Sequence, residues 1–131
     1  MLLTRRHVAL LALSLPLAAA AAPASAAVFQ PYTSAAFAAA VKAGGPVYVH
    51  VYAPWCLQCR AQEGILNGIL TAPAYANATF LRVTYDAQKD VVAELGVPRS
   101  TLIAYRGGKE TGRMSWGVTQ DAVEKVLNSA R

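Results

Sequence analysis

The sequence predicts a single α/β domain whose elements follow the order α, β, α, β, α, β, β, α. Three observations carry that expectation. Short β-branched runs alternate with stretches of helical periodicity, glycine or proline stands at most junctions between them, and no internal repeat or long linker interrupts the alternation.

The first helix fits Ser34 to Lys42, with Thr33 or Ser34 as its cap and Gly44-Gly45-Pro46 as its stop. Val47-Tyr48-Val49-His50-Val51-Tyr52 is rich in β-branched and aromatic residues and lies between Pro46 and Pro54, so it reads as a central buried strand. Ile65, Leu66, Ile69 and Leu70 share one helix face, which places a helix from near Cys56 to Leu70, weakened by Gly64 and Gly68 and closed by Pro73. Thr79 to Tyr85 is the second strand, and Gln88 to Leu95 a short helix with Gly96 as its left-handed cap. Thr101 to Tyr105, the turn Arg106-Gly107-Gly108-Lys109 and Glu110 to Trp116 make a hairpin. The last helix runs from Gln120 to Ala130, capped by Thr119, with Val123, Val126 and Leu127 as its buried stripe.

Residues 1–26 have the three-part layout of a secretory signal. Arg5 and Arg6 precede an apolar run from Val8 to Leu17, and Ala24-Ser25-Ala26 supplies small residues for cleavage after Ala26. Thr4-Arg5-Arg6-His7-Val8-Ala9-Leu10 also resembles a twin-arginine export signal, although Val8-Ala9 stands where that signal prefers a bulky apolar pair, so both export routes stay open. A membrane anchor is the competing reading, but the apolar run is broken by Pro16 and falls short of the roughly 20 residues a spanning helix needs. The domain proper is then 27–131, large enough for one hydrophobic core. Without Arg5 and Arg6 the net charge drops from +5 to +3, ten basic residues against seven acidic, and the charges are scattered. No nucleic-acid partner is implied.

The chain has two cysteines, Cys56 and Cys59, placed after a predicted strand and at the start of a predicted helix. There the unpaired amides and the helix dipole favour a thiolate, lowering the pKa of the first thiol from about 8.5. Cys56 is thus the candidate nucleophile, and Cys59, one helical turn on, the resolving thiol that displaces a mixed disulfide. Three plainer readings compete. A structural disulfide closing so small a ring gives only about 2 kcal/mol, a structural zinc site needs four ligands where the domain offers two thiols and one histidine, and both thiols could be buried and inert.

Trp55-Cys56-Leu57-Gln58-Cys59, following Val47 to Pro54, resembles the active-site segment of thioredoxins. The likeness extends from about Ser34 to the C-terminus, and Asp86, Gly96-Val97, Thr101, Gly108 and Gly117 fall where thioredoxins place corresponding residues. It implies the thioredoxin fold, a mixed four-stranded sheet flanked by helices. It also implies a thiol-disulfide oxidoreductase whose redox-active group is the Cys56–Cys59 disulfide, with no dissociable cofactor and no resident metal. Trp55, Ser100, Thr101, Trp116 and Gly117 become the expected substrate-binding rim, with simple packing as the alternative for the two tryptophans.

The departures from the family carry their own expectations. Leu57-Gln58 replaces the Gly-Pro of thioredoxins, and Gln58 supplies no charge to favour the thiolate, which points to a reductant. His50 stands where thioredoxins keep a buried acid, so it is the candidate proton acceptor for Cys59, against a core histidine bonded to backbone. Arg82 falls at the lysine that pairs with that acid, and with His50 neutral it is expected to reach solvent unpaired. Ser100 takes the place of the family's cis-proline, and its backbone is expected to pair with an extended peptide.

The reading is of a monomeric, periplasmic reductase of disulfide-containing client proteins, recharged by a membrane electron donor. The alternative is a copper or other soft-metal carrier using Cys56, Cys59 and His50.

Overall fold

A computed structural model describes residues 29–131; the expected signal segment 1–26, with its arginine pair and cleavage point, lies outside the described residues. No helix among the described residues is long and apolar enough to cross a membrane.

The chain enters through a two-residue strand β1 (Gln30–Pro31) and turns into α1 (Ser34–Ala43). Thr33 caps α1 by accepting a 2.9 Å bond from the Ala36 amide, and Gly44 ends it with φ 87°. That left-handed value suits glycine, which has no Cβ to clash. β2 (Val47–Tyr52) leads into α2 (Leu57–Ile69), a 3-10 turn (Pro73–Tyr75) and β3 (Thr79–Thr84). α3 (Lys89–Leu95), β4 (Thr101–Arg106), β5 (Lys109–Ser115) and α4 (Gln120–Asn128) complete the order.

The sheet runs β1-β3-β2-β4-β5, with β3 parallel to both β1 and β2 and antiparallel pairing from β2 to β4 to β5. It therefore has five strands, one more than the sequence predicts. The extra member is β1, whose Gln30 and Pro31 pair with Leu81 and Arg82 at the sheet edge. Two residues leave no alternation to read, and proline is tolerated there because an edge strand can spare the donor.

Strand periodicity sorts the central residues onto two faces. Tyr48 packs with Leu66, Phe80, Leu102, Val123 and Leu127 beneath α2 and α4, while Val47, Val49 and Val51 pack with Leu81, Val83 and Ile103 on the face covered by α1 and α3. His50 shares the Tyr48 face, which turns it toward α2. α2 runs through Gly64 and Gly68 without a break, held by the packing of Ile65, Leu66 and Ile69 on the core. The β4–β5 turn uses Gly107 (φ 59°) and Gly108 (φ 78°), the double left-handed pair that matches the twist of a two-residue hairpin. β5 stops at Ser115 rather than Trp116 because Trp116 itself leaves the extended region, at φ 68°.

Candidate active site

β2 ends against a tight turn in which the Cys56 amide bonds the Ala53 carbonyl at 3.1 Å, so Cys56 becomes the N-cap of α2. Its sulfur accepts a 3.3 Å bond from the Cys59 amide, one of the donors a helix start leaves without a backbone partner. Both cysteines are free thiols. Cys56 is 2 % exposed and Cys59 fully buried, with the Cys59 thiol 3.9 Å from the Val51 carbonyl.

Burial by itself would raise the pKa of Cys56, but the hydrogen bonds from the Cys59 thiol and amide, together with the Arg99 guanidinium facing the sulfur, hold it below the ordinary thiol value. Burial raises Cys59, and the neighbouring Cys56 sulfur raises it further. One thiol is thus readied to ionise and the other to keep its proton.

His50 is fully buried in β2, and its Nε2 lies 3.0 Å from the Oε1 of Gln62 on α2. Gln62 donates through its amide nitrogen to the Ser100 carbonyl at 3.0 Å and the Gly117 carbonyl at 2.8 Å. With both amide hydrogens used, Oε1 must accept, so His50 carries its proton on Nε2. Its Nδ1 is then a bare lone pair with no hydrogen-bond partner. Burial drives the His50 pKa down to about 4, opposed by the Gln62 bond and helped by Arg82. His50 is therefore a neutral imidazole whose polar contact is Gln62 rather than a backbone group.

Ser100 departs from the expected peptide-pairing role. It is fully buried, its amide donates to the Val51 carbonyl at 2.9 Å, and its carbonyl accepts from Trp116 at 2.8 Å as well as from Gln62. No backbone group of Ser100 is left for an incoming strand. Its φ of 60° is costly for a side chain with a Cβ, and these three bonds hold it there. The peptide bonds of the described residues are all trans. What Ser100 offers the site is its side chain, set against the Cys59 thiol.

Thr101 is also buried, and its hydroxyl is shared between the Pro98 carbonyl and Ser115, both at 2.8 Å. Gly117 bonds Gln62 through its carbonyl and the Met114 sulfur through its amide at 3.0 Å. Thr101 shapes the loop rather than facing solvent, while Gly117 stays partly exposed beside Trp116. Trp55 and Trp116 do lie at the surface, 55 % and 41 % exposed. The Trp55 indole N–H donates to Asp86 at 2.6 Å.

Arg82 does not reach out unpaired. Its guanidinium meets Glu63 at 2.6 Å and lies between the Phe29 and Tyr52 rings, 4.4 and 4.3 Å from their centroids. Glu63, one residue after Gln62 on α2, supplies the partner that His50 cannot.

Residues 28–129 match the profile of the thioredoxin family. The chain belongs to that family. It is 36 % identical over 101 residues to the putative thioredoxin-5 of Dictyostelium discoideum, covering 75 % of this chain and 93 % of that one. It is also 30 % identical to thioredoxin Asp f 29 of Aspergillus fumigatus over 65 % of this chain and 77 % of that one. Among solved structures it is similar to Trxlp from Edwardsiella tarda, with TM-score 0.72 and 35 % identity over 79 % of this chain and all of that one. A likeness to thioredoxin F from spinach chloroplast, TM-score 0.66 at 19 % identity over 79 % and 94 % of the two chains, concerns the fold. As a thioredoxin-family member the chain is a thiol-disulfide oxidoreductase acting on disulfide-containing proteins.

Two residues of this thioredoxin-family site escaped the sequence reading. Gln62 could have been found by extending the α2 stripe of Leu66 and Leu70 one turn toward Cys59, where it puts an amide on a buried face. A buried amide needs partners. Arg99 had no such signal, because its neighbours Trp55 and Trp116 are distant in sequence. Among the described residues no group of three or more His, Cys, Asp and Glu side chains converges as a metal site, and His50 spends its Nε2 on Gln62.

Proposed function

We propose that this chain reduces disulfides of extracytoplasmic proteins, in the periplasm of a bacterium, as a monomer recharged by a membrane electron donor. The observation that carries the chemistry is the 3.3 Å bond from the Cys59 amide to the Cys56 sulfur at the start of α2. Cys56 as thiolate attacks a client disulfide and expels one client thiol. Cys59 then attacks the Cys56 sulfur, frees the second thiol and leaves the Cys56–Cys59 disulfide.

The site of action is supported by the signal-like residues 1–26, and the need for a membrane donor by the requirement that a reductant in an oxidising space be resupplied. The direction is supported by Gln58, which brings no charge to the thiolate. Arg99 brings some, and a favoured thiolate stabilises the reduced form, so the potential belongs above the roughly −270 mV of thioredoxin but well short of the roughly −120 mV of strong oxidants. His50 is proposed to take the Cys59 proton on Nδ1. Its low basicity makes it a transient acceptor rather than a store.

The test is reduction of insulin by the purified domain with dithiothreitol present, alongside equilibration with glutathione to obtain the potential. Turnover that Cys56→Ser abolishes, with a potential in the lower half of that window, is the expected result. Turnover surviving in Cys56→Ser, or a potential near the oxidant end, overturns it. Fractionation of cells expressing the full chain, with mass spectrometry of its N-terminus, tests the location; cytosolic protein retaining residues 1–26 would exclude the periplasm.

A further inference from the structure

Arg99 is the charged group beside the cysteines that has no carboxylate partner among the described residues, although it also helps to favour the Cys56 thiolate. It lies half-buried on the loop before β4, with its guanidinium carbon 4.7 Å from the Trp55 ring centroid and 4.9 Å from that of Trp116. The same guanidinium lies near enough to the Cys56 sulfur to help lower its pKa. The ion pairs among the described residues are Arg82–Glu63 and Arg113–Glu110, and Arg99 is in neither. Its Nε is buried with no hydrogen-bond partner, and Asp86, the acid at this rim, is spent on the Trp55 indole.

A guanidinium set against two aromatic rings satisfies none of its N–H donors through those contacts, so donors remain for a ligand. Contact with both rings restrains the fork of donors before anything binds. That fork matches a carboxylate, which it can grip through two parallel bonds. The two rings beside it, Trp55 and Trp116, are themselves exposed, as is Leu57 next to Cys56 in sequence, so a ligand reaching Cys56 meets a cation flanked by apolar surface.

We propose that Arg99 is a substrate-binding residue that selects disulfides carrying a carboxylate beside the reacting sulfur, such as an acidic residue next to the target cysteine or an anionic small disulfide. The inference rests on the disulfide-reducing function above and names its substrate class. The Cys56 thiolate attacks the sulfur nearer the carboxylate, the S–S bond breaks, and the far sulfur leaves as a thiolate that takes up a proton. Cys59 closes the internal disulfide and the second thiol departs, so two electrons and two protons pass to the substrate. Arg99 forms no covalent bond. It holds the carboxylate so that the sulfur–sulfur axis lies in line with Cys56.

The test is quenched-flow oxidation of the reduced protein by dithiodipropionate, hydroxyethyl disulfide and cystamine, which have anionic, neutral and cationic ends. A ratio of anionic to cationic rates above about tenfold is expected, falling at least about fivefold in Arg99→Met and largely kept in Arg99→Lys. A change in Cys56 acidity multiplies all three rates alike, so the ratio reads charge recognition alone. In the unaltered protein, raising ionic strength should slow the anionic disulfide and leave the neutral one unchanged. A ratio near one, or one that Arg99→Met leaves intact, overturns the proposal. Failure of the unaltered protein to react with any of the three would instead remove the disulfide-reducing function on which it rests.

Discussion

The Gln62 side chain donates a 3.0 Å hydrogen bond to the Ser100 carbonyl, so the helix that carries both cysteines is tied to the loop that packs against them. The same amide reaches His50 and Gly117. One buried side chain thus joins α2, β2 and the segments on either side of the β4–β5 hairpin.

Replacing Gln62 by Leu removes that joint while nearly keeping its volume. It strands the His50 Nε2–H and the Gly117 carbonyl, and leaves the Ser100 carbonyl with Trp116 alone. Each buried group without a partner costs about 1–3 kcal/mol, so Gln62→Leu is expected to lose about 3 kcal/mol in urea unfolding, with faster labelling of Cys59. A loss below about 1 kcal/mol would show that the joint contributes little to stability.

His50 makes stability depend on pH in a stated direction. Its folded-state pKa is near 4 against an ordinary value of about 6.5, so between those values the unfolded chain binds the extra proton. The stabilisation is complete above pH 6.5 and declines as the pH falls toward 4, by up to about 3 kcal/mol. Urea midpoints of the unaltered protein and His50→Asn, measured across that range, should diverge in slope and not merely in level. Parallel pH curves would remove the burial argument.

Cys56 and Cys59 should separate by alkylation. Iodoacetamide labelling followed by mass spectrometry is expected to reach Cys56 first, with a pH midpoint below the roughly 8.5 of a free thiol. Cys59 should label later and only at higher pH. Equal midpoints for the two thiols would deny the division of labour between them.

The Arg82–Glu63 pair is partly exposed, so the charge interaction alone is worth at most about 1 kcal/mol. Glu63→Gln is expected to cost no more than that. Arg82→Ala should cost about 1 kcal/mol more, because it also empties the space between the Phe29 and Tyr52 rings. Equal losses would assign the whole effect to the salt bridge.

The elements legible in the sequence are those decided by neighbours along the chain. The run Val47–Tyr52 is strand in both readings, the double glycine at 107 and 108 makes the expected hairpin turn, and Thr119 caps α4 through the Ala122 amide. β1 was missed because an edge strand of two residues exists only by pairing with β3. The expectation for Arg82 failed in the same manner. Its partner Glu63 sits 19 residues away, and no periodicity links them.

The sequence alone determined that a nucleophilic thiol would begin a helix with a second thiol one turn on, because Cys56 and Cys59 are related by helical geometry, a local property. Only the tertiary structure decided which polar groups surround them. Gln62 meets Ser100 and Gly117 across 38 and 55 residues, and Arg99 comes to rest between two tryptophans. Such meetings depend on how α2 and the loop before β4 pack on the sheet, and a hydrogen-bonding or stacking partner chosen by packing leaves no periodic trace in the chain.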